Sequence, residues 1–123
     1  MTPRAITAAA RVSLAIAVGA VLFLATTRQP LPDLAALSDK ANHALAFAIL
    51  AFLADFSFPR ARFGLAKATA LLAFGVAIEA VQHFLPWREA SAMDVVADLA
   101  GIALYAVAAP FVTRLPLLRA GRP

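Results

Sequence analysis

The chain has 123 residues, 63% of them hydrophobic and 15% charged, with a mean hydropathy of +0.82. Ordinary soluble domains carry about 25% charged residues, and small domains bury the smallest share of their surface. A soluble single domain and a disordered chain are therefore both excluded, and a small integral membrane protein remains.

The first apolar run is read as a helix over residues 6–27, with Arg11 able to reach the headgroup level. Arg4 and Arg11 before an apolar run resemble the start of a signal peptide, but no small-x-small cleavage site follows. The segment is expected to stay as a first span. Gln29-Pro30-Leu31-Pro32-Asp33 breaks it, because two prolines cannot continue a helix. Further helices are expected over residues 41–58, 65–85 and 92–112, the first two stopped by Pro59 and Pro86. All are too long for strands and lack the alternation of barrel strands. The expected fold is an all-α membrane bundle of four transmembrane helices with short loops, forming one domain over residues 1–123. Small-x-x-x-small pairs at Ala15/Gly19, Ala44/Ala48, Ala73/Ala77 and Ala97/Gly101 offer close helix contacts in lipid.

The net charge of +4 and a pI of about 10.7 do not point to nucleic acid, since no recognition motif accompanies them. The basic residues lie in short segments between the apolar runs. Arg4, Arg11, Arg60, Arg62, Lys67, Arg114, Arg119 and Arg122 fall at the termini and second loop; Arg28, Lys40 and Arg88 fall in the other two loops. The positive-inside rule then places both termini in the cytoplasm, with anionic lipid as a contact of the basic segments. The chain has no cysteine, which excludes disulfides, thiolate zinc sites and a cysteine nucleophile.

Orientation turns the scattered polar residues into a candidate site. Asp39, Lys40, Asn42 and His43 open the second helix, and Glu79, Gln82 and His83 close the third. Arg88, Glu89 and Ser91 occupy the third loop, and Asp94 and Asp98 open the fourth helix. All belong to the outer side, whereas the cytoplasmic halves of the helices are read as carrying almost nothing polar. At about 1.5 Å per residue, Glu79 and Asp98 lie roughly 9 Å below their helix ends, with His43 slightly shallower. An acid, a histidine and a second acid can therefore meet in one layer. Ser91, Asp94, Asp98, Gly101 and Tyr105 follow one helical stripe. Ionisable residues at such depth face a bundle interior or a wet cavity.

Structural roles compete with functional ones. Ser38 or Asp39 is expected to cap the second helix, and Ser91-x-x-Asp94 fits a capping box. Lys40, Arg88 and Trp87 suit headgroup anchoring, and Glu89 suits solvent. Asp55 is expected to pair with Arg60 or Arg62, and Tyr105 to pack with its hydroxyl on one partner. Neither Glu79 nor Asp98 lies near enough to a helix end to be a cap.

Asp39-Lys40-x-x-His43-x-x-x-Phe47 and Glu79-x-x-Gln82-x-Phe84-x-Pro86-x-Arg88-x-x-Ser91-x-x-Asp94-x-x-x-Asp98-x-x-Gly101 resemble the two motifs of VanZ-like membrane proteins. Asp98 departs from the family, which often has Asn there. The resemblance implies a multi-pass protein of the bacterial inner membrane and cell envelope, in a family linked with resistance to the glycopeptide teicoplanin. It implies no defined activity.

Several function classes follow. An outer-facing pocket of Asp39, Lys40, His43, Glu79, Gln82, His83, Arg88, Ser91, Asp94 and Asp98 suits a lipid-linked envelope precursor, a glycopeptide or another anionic headgroup, because Arg and Lys recognise phosphate and carboxylate. The same residues suit an intramembrane enzyme acting on a lipid headgroup through His43 or a metal. Their spacing matches no established metal motif, no catalytic residue stands out and no cofactor is implied. A small transporter or a purely structural polar network completes the set.

Overall fold

The computed structural model describes residues 2–27 and 36–121, and for residues 36–39 the backbone alone. Five helices follow in order: α1 (Pro3–Thr26), α2 (Ala36–Ser57), α3 (Leu65–His83), α4 (Ala92–Val112) and a short α5 (Pro116–Arg119). No strand occurs among the described residues. α1, α3 and α4 are each long and apolar enough to cross a membrane. α2 has the length, at 22 residues, but it is not among them. It carries Asp39, Lys40, Asn42, His43 and Asp55, and it can do so because it runs through the middle of the bundle.

Local signals set the ends of these helices. Thr2 caps α1 by accepting the Ala5 N–H at 3.1 Å, with Pro3 in the first turn where a missing N–H costs nothing. α2 begins at Ala36, so Ser38 and Asp39 lie inside its first turns, and the expected cap role does not apply. Their side chains lie outside the described residues, as does the proline break at residues 29–33. α3 stops at His83, two residues before the expected end. The C-terminal α5 has no counterpart in the expected elements. It returns Leu118 and Gly121 to α1, where they pack near Ile6.

α2 and α4 form the tightest contact. The buried residues of α4 are Asp94, Ala97, Asp98, Gly101, Ile102, Tyr105 and Ala109, a single stripe at helical spacing. Gly101 sits directly on the Ala44 carbonyl oxygen, and a Cβ there would also lie 3.0 Å from the Ala48 amide nitrogen. The Ala44/Ala48 and Ala97/Gly101 pairs thus bring two backbones together, as small residues do in lipid. Gly19 has nothing near it, and Ala73 and Ala77 are exposed. The core of Phe47, Leu50, Ala51, Ala54, Leu71, Ile78 and Ile102 fills the space between the helices. Outside it, Ile16, Leu104, Val107 and Phe111 are all exposed, which suits a surface facing hydrocarbon.

Candidate functional site

Buried polar groups gather at both ends of the bundle. At the first end, α2 contributes Lys40 and His43, α3 contributes Glu79 and Gln82, and α4 contributes Asp94 and Asp98. Lys40 pairs with Asp94 Oδ1. His43 Nδ1 lies 2.9 Å from Asp98 Oδ1, and its Nε2 lies 3.8 Å from Asp94 Oδ2. A carboxylate only accepts, so Nδ1 carries the proton and donates it to Asp98. Asp98 is 1% exposed and Asp94 is buried. Gly75 makes room for this arrangement, because a Cβ there would stand 2.8 Å from Asp98 Oδ2.

Glu79 does what its sequence position did not suggest. Its Oε2 accepts the backbone N–H of Ser91, the N-cap of α4, at 2.8 Å. Ser91 Oγ in turn accepts the Met93 N–H at 3.2 Å. In an ordinary capping box the third residue of the helix reaches back to the N-cap amide. Here that residue is Asp94, whose carboxylate is engaged by Lys40, and Glu79 supplies the bond from the neighbouring helix. Glu79 is therefore a cap in trans, contrary to the expectation drawn from its depth in α3. Its other oxygen, Oε1, is buried and has no hydrogen-bond partner among the described residues.

The remaining predicted residues divide. Gln82 is buried, and its amide donates to the Ala25 carbonyl at 2.9 Å. Trp87 Nε1 donates to the Thr26 carbonyl, also at 2.9 Å. Together they satisfy two of the carbonyls left open at the end of α1. His83 is exposed and stacks edge-on against Phe84 at 5.5 Å, and it takes no part in the cluster. The Asp39 side chain lies outside the described residues. Arg88 is half-buried and joins Asn42 and His43 on a cavity of about 280 Å³. The other walls of this cavity are apolar: Val21, Leu24, Ala25, Ala46, Phe47 and Ile78.

The opposite end holds a network that sequence reasoning foresaw only in part, as a basic partner for Asp55 and a single partner for the Tyr105 hydroxyl. The base that Asp55 pairs with at 2.9 Å is Lys67, where Arg60 or Arg62 was expected. The carbonyl oxygens of Asp55, Phe58 and Ala61 lie 3.1, 2.9 and 2.7 Å from the Lys67 ammonium, which shares its three protons among these acceptors and the carboxylate. It thus sits on the carbonyl end of α2, where a cation is favoured. Tyr105 donates to the other Asp55 oxygen at 2.6 Å. Arg11 donates to the Ser57 carbonyl at 3.0 Å. The half of the bundle read as nearly apolar therefore contains a buried acid, lysine and tyrosine. The available signal was Tyr105 itself, which continues the Asp94–Asp98–Gly101 stripe and so had to face α2.

Comparison with protein-family models, curated proteins and solved structures found no match.

Proposed function

We propose that the protein is a VanZ-like, multi-pass membrane protein of the bacterial cell envelope that binds the anionic headgroup of a lipid or lipid-linked ligand. The reading adds α2 to the three apolar helices as a fourth span, since its length matches theirs and its polar groups are met by its neighbours. Both termini then lie in the cytoplasm, and the cluster of Lys40, His43, Glu79, Asp94 and Asp98 lies under the outer headgroups.

The observation that carries the proposal is the cavity between α1, α2 and α3. Its walls are apolar except for Arg88, His43 and Asn42. That pattern fits an amphiphile, with a chain along Val21, Leu24 and Phe47 and a phosphate or carboxylate on Arg88. Lys40 is a weaker candidate for the anion contact, because Asp94 already holds it. The Arg88 guanidinium makes no ion pair with a described residue. A planar guanidinium gripping an oxyanion at two points would supply both attraction and orientation.

A photo-crosslinkable anionic phospholipid tests this in reconstituted membranes. Wild-type protein is expected to label at the cavity and Arg88→Ala to lose most of that labelling. Equal labelling of the two would remove the headgroup role. Glycopeptide susceptibility of cells with and without the gene tests the resistance aspect separately, with a change in the teicoplanin threshold as the expected result.

A further inference from the structure

We infer that His43, Glu79 and Asp94 form a binding site for a divalent metal ion of zinc-like character, with Asp98 orienting the imidazole. This goes beyond the headgroup reading, because it requires no lipid and no anion. One ligand atom from each of the three residues lies within 4.8 Å of the other two. The three come from three different helices, α2, α3 and α4, so an ion there would clamp the bundle at one point.

Each residue presents a donor suited to the task. His43 gives Nδ1–H to Asp98 Oδ1 at 2.9 Å, which places its lone pair on Nε2. A carboxylate behind a histidine is the usual second partner of a metal-bound imidazole, because it fixes the tautomer and raises the basicity of the ligating nitrogen. Asp94 has one oxygen on Lys40 and the other 3.8 Å from His43 Nε2. That gap is too long for a hydrogen bond. It is within the span of two ligands held about 2.0–2.2 Å from a common zinc ion. Glu79 is 9% exposed. Its Oε2 is committed to the Ser91 amide, and Oε1 is buried without a donor. A buried carboxylate oxygen with no donor is costly, and a cation among the three residues would satisfy it.

Charge points the same way. Glu79, Asp94 and Asp98 bring three carboxylates into one low-dielectric layer, and among the described contacts Lys40 meets them with one ammonium. The donor set of one imidazole and two carboxylates is borderline in softness and suits zinc or manganese above calcium. Three protein ligands leave a coordination position for water or for an oxygen of a bound molecule.

The test uses the full-length protein, purified in mild detergent without chelator and then dialysed. Elemental analysis is expected to find about one equivalent of a first-row divalent metal per chain. Chelated wild-type protein titrated with Co²⁺ is expected to develop a saturable visible absorption, and Zn²⁺ is expected to abolish it. His43→Ala and Glu79→Gln should each remove the stoichiometric ion, while Glu89→Gln, an exposed acid outside the cluster, should keep it. Asp98→Asn should retain the ion and weaken its affinity about 10–100-fold, as loss of an outer-shell carboxylate does. The Co²⁺ spectrum of the wild type needs no variant to fold. A wild type that takes up no saturable Co²⁺ overturns the site, as does a folded His43→Ala protein that binds metal as the wild type does. A headgroup site without metal would give normal lipid labelling and no Co²⁺ absorption, so the two proposals fail separately.

Discussion

At the residue scale, the buried charges are organised by what each side chain has left after its first partner. Asp55 spends one oxygen on Lys67 and the other on Tyr105. Asp94 gives one oxygen to Lys40, and Glu79 gives one to a backbone amide. Removing a partner therefore costs more than the bond itself, because a buried group is stranded. Tyr105→Phe is expected to lower stability by about 1–3 kcal/mol, the cost of a buried acceptor left unmet. Lys67→Met should cost about 3–5 kcal/mol, since it strands a charged Asp55 in the interior. It also uncovers carbonyls at the end of α2. Chemical unfolding of the two variants in detergent checks the order: Lys67→Met must be the less stable. Sequence alone placed Asp94, Asp98 and Tyr105 on one stripe, because a helix of fixed pitch leaves no choice. It did not choose partners for Asp55. Arg60, Arg62 and Lys67 are all near it in the chain, and only the turn through Pro59 and Gly64 decides which one reaches it.

At the element scale, the α2–α4 contact is the joint on which the first-end cluster depends. His43 and Asp98 meet because Gly101 lets the helix backbones touch at Ala44. Gly101→Ala is expected to destabilise the protein by about 1–3 kcal/mol through overpacking. It should also displace Asp98 from His43. Gly19→Ala, where a Cβ meets nothing, should be neutral or slightly stabilising, as alanine favours a helix over glycine. Thermal melting of both proteins distinguishes them, and equal effects would remove the backbone-contact argument. The helices themselves were legible in the sequence because length and apolarity decide them. Their ends were less so. Ser38 and Asp39 read as a cap only while the first turn of α2 was placed too late. Ser91-x-x-Asp94 read as a self-contained capping box until α3 was laid beside it. Caps are decided by whichever donor or acceptor comes nearest, and that residue need not be local.

At the scale of the whole molecule, the three apolar helices and the exposed apolar exterior define a membrane protein, while orientation rests on the basic residues. Eight of the eleven belong to the termini and second loop, and the structure places Arg4, Arg11 and Arg60 together around one cavity of about 710 Å³. The absence of cysteine makes the orientation simple to test. Ala90→Cys in the third loop should react with a membrane-impermeant maleimide applied to intact cells. Ala120→Cys near the C-terminus should react only after permeabilisation. Both positions are exposed, so the reverse pattern would invert the topology and turn the cluster toward the cytoplasm.

The sequence by itself determined the solvent, the four long helices and the buried face of α4, because hydropathy, length and helical pitch are properties of a continuous stretch of chain. It also determined that Glu79, Asp94, Asp98 and His43 belong to one end of the bundle, since alternating helices must return there. Only the tertiary structure decided what those groups do. It gave Glu79 to the α4 cap, Asp98 to the His43 ring and Lys40 to Asp94, left His83 outside, and built a second buried network around Asp55. Charged groups in a low-dielectric interior pair with whatever lies within a few ångströms, and that neighbour is set by how the helices rotate and approach one another.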